Sequence, residues 1–231
     1  MIAGEMNASE SSGHDPKWDQ SFGEELANSV SHGLGLLAAV VGAPILMLAA
    51  WRSGDRYFFV GTAVFIAAMV LVYLGSTLYH AWPRGPIKSI FQLVDHSAIF
   101  LLIAGTYTPF TLGPLRGAWG WTILALVWSL AILGVILKSV HGTEQRTKLS
   151  LTLYLVMGWL ILFAYRPLIL QVPTPSLVWL TAGGLLTPVV FFSLSASAVA
   201  TPILSGIYLC SWARPAISSP FWPASPHEDF A

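Results

Sequence analysis

Six long apolar blocks, separated by short charged links, constrain this chain more than any single residue in it. The blocks cover residues 28–51, 58–82, 90–110, 119–137, 149–164 and 176–192. Most approach the roughly 20 apolar residues that a helix needs to cross a bilayer. The links RSGDR, PRGPIK, GPLRGA and HGTEQRTK are short enough to make neighbouring helices antiparallel. Only 10% of the 231 residues are charged, too few to cover the surface of a water-soluble domain. The pattern predicts an all-α, polytopic transmembrane helix bundle. Between Arg166 and Arg214 no charged residue occurs, so nothing marks where the sixth span ends.

Residues 1–21 are polar and lack the apolar core of a signal peptide, and read as a disordered cytoplasmic tail. Residues 22–192 form the membrane domain, and 193–231 an anomalous C-terminal tail. A net charge of zero offers no basic face to nucleic acid. A single cysteine, Cys210, excludes an intramolecular disulfide. Membrane lipids are the expected partners, and nothing in the sequence fixes an oligomeric state. Lys17, Arg84, Lys88, Lys138, Arg146 and Lys148 fall on the side of the N-terminus; Arg52, Arg56, Arg116 and Arg166 fall on the other. That bias places the N-terminus in the cytoplasm.

Ionisable groups inside hydrocarbon are costly, so those present need a partner or a function. Here they gather near one face of the membrane. Glu25, Asn28 and His32 in EELANSVSHGLG are three and four residues apart and share a helical face. Ser76 and His80 in GSTLYHAW are four apart, near the end of the second span. Asp95 and His96 in FQLVDHSAIF lie about two turns into the third. With alternating helix directions all of them fall at a similar depth. A Ser-x3-His helix facing an Asp helix could supply part of a metal site. A lone intramembrane histidine is as readily an interhelical hydrogen-bond donor. Glu25, Asn28 and His32, at the interface, suit a supporting or capping role. His96 points about 100° away from Asp95 and suits helix packing or a hydrogen bond. His14 and His141 fall in a tail and a loop and suggest no function. In IAGTYTPF, Pro109 is expected to break the helical ladder, with Thr106, Tyr107 and Thr108 satisfying the freed backbone groups.

Three blocks, EELANSVSHGLG, GSTLYHAWPRG and LVDHSAIFLLIAGTYTPF, resemble in order and spacing those of the haemolysin III proteins, the bacterial branch of the progestin and adipoQ receptor (PAQR) family. The likeness covers residues 22–184. It implies a seven-helix fold in a bacterial inner membrane, with a cytoplasmic N-terminus. It implies zinc held by three histidines, one of them at the position of His80, with Asp95 close to the metal's water. The other two would come from an HxxxH pair opening the seventh helix. It also implies membrane lipid hydrolysis, of amides or esters, or a part in lipid homeostasis. On that reading Asp95 orients the water or acts as general base, and Ser76 binds the water or stabilises an oxyanion. A pore-forming haemolysin is the competing function, although the apolar centres of the spans argue against a continuous pore. A metal-stabilised scaffold without turnover is the third.

This sequence departs from the family pattern after Gly184. No histidine occurs between His141 and His227, so HxxxH is missing, and the seventh helix is lost or garbled. A one-base slip of the reading frame accounts for the departure. Joining the third base of each codon to the first two of the next lets Leu186 to Val190 read YTGG. From Pro202 to Pro223 the same frame permits HPVWHLFVLLGTACHFFAVLA. Two of those residues are forced whatever the codons: Trp212-Ala213 gives Gly, and Trp222-Pro223 gives Ala. His227-Glu228 permits a stop. The tail from about residue 185 therefore reads as an out-of-frame product, and the chain as written should bind zinc weakly and turn over little. Resequencing the gene across the codons for Gly183 to Pro188 is expected to reveal a one-base discrepancy. An unchanged sequence there would make this a true relative without the HxxxH pair.

Overall fold

The computed structural model describes residues 20–142 and 147–171. The sixth block, the anomalous tail and His14 lie outside the described residues, as does the His141 side chain. Within them the chain is helical, with no strand. Helices α1 (Phe22–Arg52), α2 (Arg56–Ala81), α3 (Pro86–Leu112) and α4 (Ala118–His141) are followed by α5 (Thr147–Trp159). A 3-10 segment (Leu160–Ala164) then leads into α6 (Tyr165–Gln171). The first four helices are long and apolar enough to cross a membrane.

Each helix starts where its local chemistry dictates. Ser21 and Glu24 form a reciprocal capping box, so α1 begins six residues before the first apolar block. Asp55 caps α2, its Oδ1 accepting from Tyr57 N at 2.8 Å and Phe58 N at 3.3 Å. Pro86 opens α3, where its missing N–H costs nothing.

The helices follow one another across the bundle, α2 between α1 and α3, and α3 between α2 and α4. Contacts at the two ends establish that neighbours run antiparallel. At one end Glu25 of α1 meets His80 of α2 and Lys88 of α3. At the other, Arg116 bonds both oxygens of Asp55 at 3.1 Å. The outward faces carry exposed Leu34, Leu37, Val41, Ile45 and Leu48, which suits a lipid solvent rather than water. Trp51, Trp82, Trp119 and Trp121 are exposed near helix ends, as an aromatic belt requires.

Pro109 does not end α3, which continues to Leu112. Threonine hydroxyls reinforce the carbonyls around it: Thr108 donates to Ala104 O at 2.8 Å and Thr111 to Tyr107 O at 3.0 Å. Thr106 turns back onto Ile103 O at 2.7 Å. Tyr107 instead crosses to the end of α5. Its hydroxyl lies 2.7 Å from Met157 O and 2.9 Å from Gly158 O, and accepts Ile161 N at 3.1 Å. The fifth block is thus a helix that tightens to 3-10 where a tyrosine from α3 takes up its backbone groups.

Close backbone approach joins α2 to α3. A Cβ added to Gly61 would stand 2.7 Å from Pro109 Cα, and one on Gly105 2.9 Å from Ala68 Cβ. Gly61→Val is expected to destabilise the protein by roughly 1–3 kcal/mol, because the obstructing atom is backbone and cannot swing aside. The check is the thermal midpoint in detergent, with Gly23→Ala, whose Cβ would meet nothing within 4 Å, as the control.

Candidate functional site

The polar residues of α1, α2 and α3 converge at the end of the bundle that holds the start of α1. Helical spacing puts them there. Glu25, Asn28 and His32 share a face of α1; Ser76, Tyr79 and His80 share one of α2; Lys88, Gln92 and Asp95 recur at four and three residues on α3. Gly75 allows α3 close, a Cβ there standing 3.6 Å from Asp95 Cα.

The cluster has two parts. In the first, Asp95 is 9% exposed and Ser76 3%. The Ser76 hydroxyl lies close enough to the Asp95 carboxyl to interact with it. In the second, Glu25 is shared. One oxygen, Oε2, lies 2.8 Å from His80 Nδ1, and the other, Oε1, 2.9 Å from Lys88 Nζ. A carboxylate only accepts, so Nδ1 carries a proton, and in the neutral imidazole Nε2 then keeps its lone pair. His32 stacks on His80, with ring centroids 5.7 Å apart and planes 4° from parallel. Tyr79 packs against the same imidazole at 4.6 Å.

The sequence-derived residues fare differently. Ser76, Asp95, His80, Glu25 and His32 all reach the cluster. His80 and Asp95 do not bond each other directly; each has its own partner. Asn28 turns away, its amide donating to Gln20 Oε1 at 3.3 Å. His96 enters through its backbone, its carbonyl accepting from Tyr154 at 2.8 Å. Its Nδ1 is buried without a hydrogen-bond partner among the described residues. Glu25 is the hub of the second group, more than the interface position alone suggested.

Sequence reasoning missed Lys88, which it counted only as a topology charge. Lys88 is 2% exposed. Its spacing from Gln92 and Asp95 was the available signal. Lys138, just past the fourth block, likewise counted only as a topology charge; α4 runs past it to His141, and it is buried close enough to His96 for their charges to interact. Tyr79 was also missed, and its hydroxyl accepts from Gln92 Nε2 at 3.3 Å.

Zinc demands more donors than these. A catalytic zinc takes three protein ligands. Among the described residues no three of His, Cys, Asp and Glu come together in a way that could hold a metal. His80 has the geometry of a ligating imidazole, one nitrogen held by a carboxylate and the other without a hydrogen-bond partner among the described residues. The described residues do not complete the site around it.

A chain of four or more apolar helices with an ionisable cluster near one end is a multi-pass membrane protein. The family model described as Haemolysin-III related matches residues 20–210, and the chain belongs to the haemolysin III family. A protein named Hemolysin-3 homolog from Bacillus subtilis (strain 168) is 42% identical over 163 residues, 71% of this chain and 76% of that protein. One named Hemolysin-3 from Bacillus cereus is 42% identical over 171 residues, 73% of this chain and 78% of that protein. No solved structure matches the chain.

Glu25→Ala is expected to lower the thermal midpoint more than Asn28→Ala. The first leaves a buried ammonium short of its counter-charge, a loss of up to about 3 kcal/mol because backbone carbonyls still hold Lys88. The second removes one bond to Gln20 at the bundle's edge. Equal shifts in detergent melts would contradict the hub role of Glu25.

Proposed function

We propose that this protein derives from a membrane-embedded hydrolase acting on the amide or ester bond of an acyl lipid, in the inner membrane with the N-terminus in the cytoplasm. The observation that carries the reading is the convergence of Ser76 and Asp95 with His80 at one depth of the bundle. A buried carboxyl braced by a neighbouring hydroxyl is suited to take a proton from an attacking water. Ser76 fixes the carboxyl's orientation, and the apolar helix faces around it keep bulk water away. Lipid would arrive laterally from the bilayer, where the outward faces are already apolar.

Among the described residues the donors for zinc are incomplete, and on this reading metal binding by the chain is weak and its turnover low. Purified protein in detergent, washed with chelator, is expected to retain far less than stoichiometric zinc. Retention of one ion per chain would contradict this. A gene product with the frame restored is expected to release fatty acid from bacterial lipids in nanodiscs. Its Asp95→Asn form should be slower by roughly 10²–10⁴-fold. An undiminished rate would remove Asp95 from the chemistry. Leakage of dye from liposomes, indifferent to His80→Ala, would favour the pore-forming reading instead.

A further inference from the structure

Lys88 is buried in the first turn of α3, and three of the groups it holds adjoin His80. Its ammonium donates to Tyr79 O at 2.9 Å and Trp82 O at 3.2 Å, carbonyls immediately before and two residues after His80 in sequence. These belong to the last turn of α2, where carbonyls lose their helical partners. The third contact is Glu25 Oε1 at 2.9 Å, on the carboxylate whose other oxygen meets His80 Nδ1. An ammonium has three N–H groups, and these are three acceptors. The Tyr79 ring, 4.9 Å from Nζ, closes one side and itself packs on the imidazole.

We propose that Lys88 is a positioning residue for His80, fixing its backbone through the end of α2 and its ring through Glu25. Glu25 sits near the start of its helix on a flexible side chain, and the imidazole alone would leave one oxygen unheld. Lys88 pins that oxygen, so the other faces Nδ1, and the lone pair on Nε2 is presented in a single direction. The same ammonium stops the last turn of α2 from fraying, which would otherwise swing the ring away. Attachment to α3 sets His80 in register with Asp95, on the same helix as Lys88. The inference rests on the reading of His80 as the ligand-bearing side chain of the proposed site.

The test is ring-nitrogen NMR on the full chain, labelled at histidine, in detergent or nanodiscs, above the range where imidazole is charged. His80→Gln supplies the assignment. Wild-type protein is expected to show His80 as one tautomer, protonated at Nδ1. Lys88→Met should split that signal into both tautomers, although Glu25 is still present, and Glu25→Ala should do the same. Arg116→Ala, at the far end of the bundle, should leave it unchanged. A simple packing role for Lys88 would lower the thermal midpoint and leave the tautomer intact, which overturns the proposal. A wild-type signal protonated at Nε2 overturns it outright. Should Lys88→Met fail to fold, an unaltered tautomer in Glu25→Ala overturns it as well. The readout uses neither zinc nor lipid, so failure of the hydrolase reading would not by itself disturb the result.

Discussion

A buried ammonium in a bundle made for lipid sets the terms for the rest of this structure. Lys88 cannot reach water, and no lipid tail can accept its hydrogens. The chain answers with a carboxylate from α1 and two carbonyls from α2. One side chain on α3 thereby makes three helices meet at one end, and the polar residues beside it inherit a fixed place. The opposite end has its counterpart in Arg116 and Asp55, more exposed and tying two links together. Between the two ends α2 and α3 hold each other by close packing at glycine, and tyrosine hydroxyls tie α3 to α5.

Much of this architecture was legible in the sequence because bilayer thickness turns composition directly into helix length. The first four blocks each became one helix, displaced by a few residues at the ends. The displacements have local causes: the Ser21–Glu24 capping box lengthens α1, and α4 runs on past Leu137 to bury Lys138. Pro109 was the clearest misreading. A proline forfeits one hydrogen bond, and α3 continues past that loss to Leu112. The fifth block departs from a single helix because Tyr107, far away in sequence, supplies the partners that the α-helical ladder would have supplied.

The site was half legible. Spacing along one helix revealed which residues share a face, and so Ser76, Asp95, His80 and Glu25 could be placed near one another. Spacing could not say who pairs with whom. Facing helices suggested His80 with Asp95; the structure pairs Asp95 with Ser76 and gives His80 to Glu25. A charge near a helix end reads as a topology signal, and both Lys88 and Lys138 were hidden by that expectation. The family likeness supplied what spacing could not, including the histidine pair that this chain lacks.

The phenol of Tyr107 occupies the mouth of a notch in α5, where the pitch changes and backbone groups come loose from their usual partners. One oxygen is both donor and acceptor there, so a single side chain serves both sides of the junction. The two halves of the fifth apolar block meet at a junction whose loosened backbone groups are covered by that one phenol. The third helix therefore acts as the post from which the latter half of the fifth block is hung.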